Sequence, residues 1–133
     1  MEMELCRVIK FRGKDIGSNE WVYGHYTEGG WIDPTNGEVV KRHIIHGEDG
    51  FLHDIKPETL GQFTGLIDPQ GVEIYEGDII YSSQLEFAEV KFESPSFFAY
   101  GHQCNAHMLL HDQDCVNGNI FDNPNLLTAE PWK

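Results

Sequence analysis

Fourteen glycines and six prolines are spread so evenly through this 133-residue chain that few windows of a dozen residues escape a helix breaker. Between the breakers sit short runs rich in Val, Ile, Phe, Tyr and Trp. Such runs, bounded by turn residues and fairly regularly spaced, are the pattern of strands in a mainly β fold.

The first run covers residues 5–11, where Cys6, Val8 and Lys10 alternate with Leu5, Arg7, Ile9 and Phe11. A polar loop from Gly13 to Asn19 follows it. Trp21-Val22-Tyr23-Gly24-His25-Tyr26 reads as a second strand, with Glu28-Gly29-Gly30 turning the chain. Trp31-Ile32 begins another segment before Asp33-Pro34-Thr35-Asn36-Gly37 turns it again. Residues 38–46 and 51–55 are further extended pieces, and Pro57 fits the first position of a single helical turn. Asp68-Pro69-Gln70-Gly71 carries the residues of a type I turn, with Asp first, Pro second and Gly fourth. Gly77, inside Glu76-Gly77-Asp78, is expected to supply a positive φ. Residues 87–92, 97–100 and 116–121 complete the strands, while 105–112 fits a short helix or an irregular loop.

The expected architecture is one domain over 1–133, or an N-terminal β lobe of 1–56 and a barrel-like lobe of 57–133. The second half, a turn and a Gly-Asp followed by short antiparallel strands, suggests a small SH3-like barrel by analogy.

Composition narrows the classes further. Hydrophobic residues at 40% and aromatic residues at 12% exclude a disordered chain. No stretch approaches the ~18 consecutive apolar residues of a membrane span. The opening Met1-Glu2-Met3-Glu4 is acidic and lacks the apolar core of a signal peptide. Three cysteines, Cys6, Cys104 and Cys115, make an odd number without paired spacing and point to reduced thiols in a cytoplasm. The net charge is −13, of which residues 67–133 hold −9 with eleven acidic and two basic side chains. A field of that sign repels nucleic acid and favours cationic partners.

Three separated segments carry a family likeness. Phe11-Arg12 followed by Trp21-Val22-Tyr23-Gly24 opens it, and residues 59–65 and 71–79 form its centre. Ile120-Phe121-Asp122-Asn123-Pro124-Asn125-Leu126-Leu127 closes it. In that order these segments resemble the YopX-like proteins, found mostly in phages and prophages. Pro69 and Gln70 stand where family members often carry Lys and Asn, an exchange that a turn tolerates. The segment from Gly101 to Cys115 lies outside the likeness. The resemblance implies a phage or prophage accessory protein of uncharacterised activity and brings no catalytic residues with it.

The residues themselves offer few chemical constellations. On a helix, His107, His111 and Cys115 would fall at i, i+4 and i+8, three zinc ligands on one face with a fourth position open. On a strand, His102 and Cys104 share a face while His107 points away; ordinary surface histidines and small thiols fit the same residues. His43 and His46 flank two β-branched residues and, three apart on a strand, face opposite sides. Glu73, Glu76 and Asp78 bracket a turn, so solvation and turn formation account for them as well as acid–base or metal chemistry does. There is no phosphate-binding glycine loop and no nucleophile elbow, and Ser94 and Ser96 have no base near them in sequence.

Trp21, Tyr23, Tyr26 and Trp31 could line a groove, although aromatics at this density commonly form cross-strand pairs and core. The expectation is a non-enzymatic protein without cofactor, acting on a protein partner or on itself as a homo-oligomer, with no nucleic acid or membrane partner. Trp31, Phe97 and Phe98 are the expected interface anchors. Two alternatives remain: an acidic inhibitor that mimics nucleic acid toward a cationic host enzyme, and a small zinc-dependent or ligand-binding enzyme built on the 102–115 cluster.

Overall fold

A computed structural model describes residues 8–128. The chain is mainly β, in two antiparallel sheets with two short 3-10 turns, and divides into compact units over residues 1–62 and 63–133.

In the first unit β1 (Phe11–Lys14), β2 (Trp21–Ile32), β3 (Val39–Gly47) and β4 (Leu52–Asp54) lie in the order β4-β3-β2-β1, with the start of β5 (Gly61–Ile67) beside β1. The loop expected from Gly13 onward starts later, because β1 continues through Gly13 to Lys14. A Cβ at Gly13 would lie 2.5 Å from Cδ1 of Ile55, so only glycine lets that fully buried isoleucine close on the strand. Thr59, in the 3-10 turn Pro57–Thr59, accepts the Lys14 N–H at 2.8 Å and donates its hydroxyl to the Lys56 carbonyl at 2.6 Å. Pro57 takes the first position of that turn, where its missing N–H costs nothing. Of the run expected over residues 5–11, residues 5–7 lie outside the described part and the strand begins at Phe11.

Glu28-Gly29-Gly30 is not a turn. The β2–β3 register runs unbroken through Glu28↔His43, Gly29↔Arg42 and Gly30↔Lys41 to Ile32↔Val39. The reversal falls at residues 33–37 instead, where Asp33 Oδ1 accepts the Thr35 N–H at 2.8 Å and the Asp33 carbonyl accepts the Gly37 N–H at 2.8 Å. That turn fixes the register, and the pairing then carries the two glycines along as strand.

The second unit adds β6 (Glu73–Tyr75), β7 (Asp78–Ser82), β8 (Glu86–Glu93), β9 (Ser96–Gly101), β10 (Ala106–Leu109) and β11 (Val116–Asn119). Its five-stranded sheet has the order β10-β9-β8-β7-β11, while β6 pairs with β5. β10 and β11 are not paired to each other among the described residues, so the barrel expected by analogy does not close. Residues 106–109, expected as a helix or irregular loop, form a strand because His107 and Met108 register against Tyr100 and Ala99 of β9.

Ile80, Ala88, Val90 and Ala99 of this sheet are buried in one cluster with Ile74 of β6 and with Leu85 and Leu110 from the adjoining turns. Each larger member contributes on the order of 1.5–3 kcal/mol by leaving water. The type I turn at residues 68–71 closes with the Gly71 N–H on the Asp68 carbonyl at 2.9 Å, and Gly77 adopts φ +94° as its position demands.

Candidate interaction surface

β2 and β3 outrun their neighbours. β1 pairs with β2 only at residues 21–24, and β4 pairs with β3 only at residues 44–46. Beyond those pairs, residues 27–32 and 39–43 form a two-stranded ribbon with no further strand on either edge among the described residues. Side chains alternate across it, so the pair Trp31–Val40 faces one side and the pair Ile32–Val39 the other. Both sides meet solvent: Trp31 is 49% exposed, Ile32 64% and Val39 72%. An isolated two-stranded ribbon is only marginally stable in water. This one exposes apolar pairs on both faces.

On the Trp31 side a concavity of about 620 Å³ opens, walled by Ile16, Trp31, Val40 and Leu52. That volume falls within the span of roughly 300–1,000 Å³ seen for binding pockets. Arg42 and Asp54 also line it, joined as a fork: Nε donates to Oδ1 at 3.0 Å and Nη2 to Oδ2 at 2.6 Å. The hydrogen bond and charge of Asp54 raise the Arg42 pKa above its ordinary value. The pair is open to water, so its worth lies in orienting charge at the rim rather than in stability.

His53 of β4 ties two loops together near this wall. Its Nδ1 lies 2.8 Å from Asp15 Oδ2, and its Nε2 lies 2.9 Å from Asp49 Oδ2. Both nitrogens donate at once only when the ring is an imidazolium. The bonds to Asp15, then Asp49, outweigh burial and push the His53 pKa up. Asp15 is lowered by His53 first and then by the Ser18 and Gly17 N–H groups. Asp49 is lowered by the Phe51 N–H and then by His53. Asp15 also lines the concavity, so this bridge braces one of its walls.

Trp31 thus sits at the end of the exposed ribbon. Phe97 and Phe98 lie on β9 and are half-buried: Phe97 packs against the core cluster and edge-on to Phe92 at 5.1 Å, and Phe98 meets His107 edge-on at 5.4 Å. The four aromatics considered for a groove do not share one. Trp21 lies under the Arg12 guanidinium at 4.4 Å, whereas Tyr26 stacks on His43 and shares a 2.6 Å hydrogen bond with its Nδ1. His43 and His46 face opposite sides of the ribbon; His46 Nε2 lies 3.1 Å from Thr27 Oγ1.

The helical stacking of His107, His111 and Cys115 does not occur, because His107 is on strand β10 and the chain leaves that strand before His111. His111 lies 3.4 Å from Asp114, and His102 bonds Glu89 at 2.8 Å. Among the described residues no three His, Cys, Asp or Glu side chains gather as a metal ion would require. Cys104 is exposed and Cys115 half-buried, both as free thiols. Tyr75 donates its hydroxyl to Glu73 at 3.0 Å and its N–H to Asp78 at 2.7 Å, the turn-forming role anticipated for those carboxylates.

Asp15, Asp49 and His53 carried no signal in the sequence, since 38 residues separate Asp15 from His53. Only hairpin closure brings them together.

The fold and ribbon define a mainly β protein without a clustered catalytic set among the described residues. Residues 10–128 match the family described as YopX protein, and the chain belongs to that family. Among solved structures it is similar to protein EF1440 from Enterococcus faecalis, at 23% identity and a TM-score of 0.49, over 92% of this chain and 99% of that one. No curated protein matches it. No helix among the described residues is long and apolar enough to cross a membrane.

Proposed function

We propose that this chain is a non-enzymatic accessory protein of phage or prophage origin that works through protein–protein contact. The observation that carries this reading is the β2–β3 ribbon, whose apolar pairs Trp31–Val40 and Ile32–Val39 leave between 39% and 72% of each residue open to solvent. Exposed apolar side chains gathered at one place, with a tryptophan at the centre, are the usual composition of an interface anchor. The adjoining concavity offers apolar walls and an oriented charge pair at the rim.

The test is affinity capture of the tagged chain from infected or induced bacterial cells, run beside Trp31→Ala and Val39→Asp. Both substitutions lie at exposed positions, where a change is expected to cost the fold little. Loss of the captured protein, or of self-association, in the two variants is the expected result. Equal capture by native and variant chains would remove the ribbon from the interface.

A further inference from the structure

We infer that the partner of the ribbon is a second copy of this chain, joined edge to edge along residues 28–32 of β2 about a two-fold axis at Gly30. The inference rests on the interaction reading above and names its partner.

Charge comes first. The chain carries −13 overall, so two copies repel over most approaches. The ribbon and its turn carry little of that charge. Residues 27–42 hold Glu28, Asp33 and Glu38 against Lys41 and Arg42, a net of −1. Two acidic molecules meet there with little net charge opposed.

The two edges of the ribbon differ. The β3 edge presents Lys41 and Arg42 in succession, and charged side chains on an edge, lysine above all, are a common guard against pairing. Antiparallel pairing about Lys41 would oppose two ammonium groups. The β2 edge presents Glu28, Gly29, Gly30, Trp31 and Ile32, with one charge, and Glu28 already lies 3.8 Å from Lys41 of its own chain.

The register follows from symmetry. A two-fold axis perpendicular to a sheet sets one residue of the edge opposite itself and keeps each residue on its own face. With the axis at Gly30, Gly29 stands opposite Trp31 of the second copy, and Glu28 opposite its Ile32. Gly29 and Trp31 share the face of the concavity, since Trp31 pairs with Val40 and Gly29 with Arg42. Each indole therefore covers a bare glycine of the other copy, the cross-strand pairing by which an aromatic compensates a glycine in a sheet. A Cβ at Gly29 meets nothing within 4 Å, so the space for that indole is empty in the single chain. The two adjacent glycines, costly inside a strand, gain a purpose: they let the two backbones meet at the axis without side chains between them.

The contact is short, and a concentration-dependent dimer is expected. Light scattering across a dilution series should show the dimer population rising with concentration, and Trp31→Ala should weaken association by about tenfold or more. Gly30→Cys provides a second reading. Residues opposite each other in an antiparallel pair have Cα atoms about 4.5–5.5 Å apart, within disulfide reach. Mild oxidation should cross-link Gly30→Cys between copies well above the background from the native thiols, and should not cross-link Lys41→Cys.

A strict monomer at every concentration overturns the inference, as does a dimer that ignores Trp31→Ala and fails to cross-link through position 30. A monomer that still captures another protein in a Trp31-dependent way would sink this inference and leave the interaction reading standing. A monomer that captures nothing would sink both.

Discussion

His53 and Asp15 are joined through Nδ1 and Oδ2 at 2.8 Å, and the same imidazole reaches Asp49 through Nε2 at 2.9 Å. One ring thereby fastens the loop after β1 to the loop before β4, and the bridge is complete only while the ring carries both protons.

The His53 bridge predicts a pH dependence of definite sign. Its folded pKa is raised above 6.5, so its contribution is fully present below the unfolded value and is lost as pH rises through the folded one. Asp15 and Asp49 are lowered, so their share is present above the ordinary carboxylate range and is lost as pH falls through their folded values. The native chain should exceed His53→Gln in melting temperature most clearly between these limits, and the gap should narrow as pH rises through the raised folded value of His53. An NMR titration of the His53 ring protons should place its midpoint above about 6.5. A midpoint at or below that value, with a gap that ignores pH, would refute the bridge.

Asp68 is a second carboxylate with structural weight. It is 4% exposed; Oδ1 accepts the Gln70 and Val72 N–H groups, and Oδ2 accepts that of Val116, all at 2.9 Å. Burial pushes its pKa up, but the backbone donors prevail and hold it below 3.8. Asp68→Ala leaves those N–H groups unmet and should cost roughly 2–3 kcal/mol or more in urea unfolding near neutral pH. The native advantage should shrink as pH falls through the depressed folded value. Equal urea midpoints for the two chains at neutral pH would contradict this.

Gly13 and Ile55 make a steric pair. Gly13→Ala should destabilise by about 1–3 kcal/mol through overpacking. Ile55→Val removes the Cδ1 atom that the new methyl group would strike at 2.5 Å. The double variant should therefore be more stable than the sum of the two single losses predicts, a coupling that a double-mutant cycle measures directly. Strict additivity would mean that the backbone yields instead.

Arg42 and Asp54 should matter little to folding. Both side chains are close to half exposed despite their forked geometry. Asp54→Asn is expected to shift unfolding by less than about 1 kcal/mol, and still less in high salt. A larger loss would assign the pair a structural role that its exposure argues against.

Much of the fold is legible in the sequence because local chemistry decides it. Asp68 with Gly71, Gly77 and Pro57 each take the backbone role that their residue types require, and the runs around Val39–Ile45, Phe87–Phe92 and Phe97–Tyr100 are strands. The misreadings arise where pairing overrides local preference. Gly29 and Gly30 look like a turn but are held as strand by the tighter turn at Asp33–Gly37, and residues 106–109 become a strand only because β9 lies beside them. Closure into a barrel depends on whether the two edge strands meet, which no single segment encodes. Trp31 was visible as a candidate anchor from its type. The concavity beside it, and the Asp15–His53–Asp49 bridge, exist only after β3 and β4 bring distant residues together.

Asp68 also bears on how the second unit assembles in time. The N–H of Val116 that it accepts lies 48 residues further along the chain. Hairpins such as β8–β9 join neighbours across a few residues and form early, whereas this bond must wait for a long loop to close. On a ribosome, Asp68 emerges well before its last donor, and β11 is the last strand of its sheet to be made.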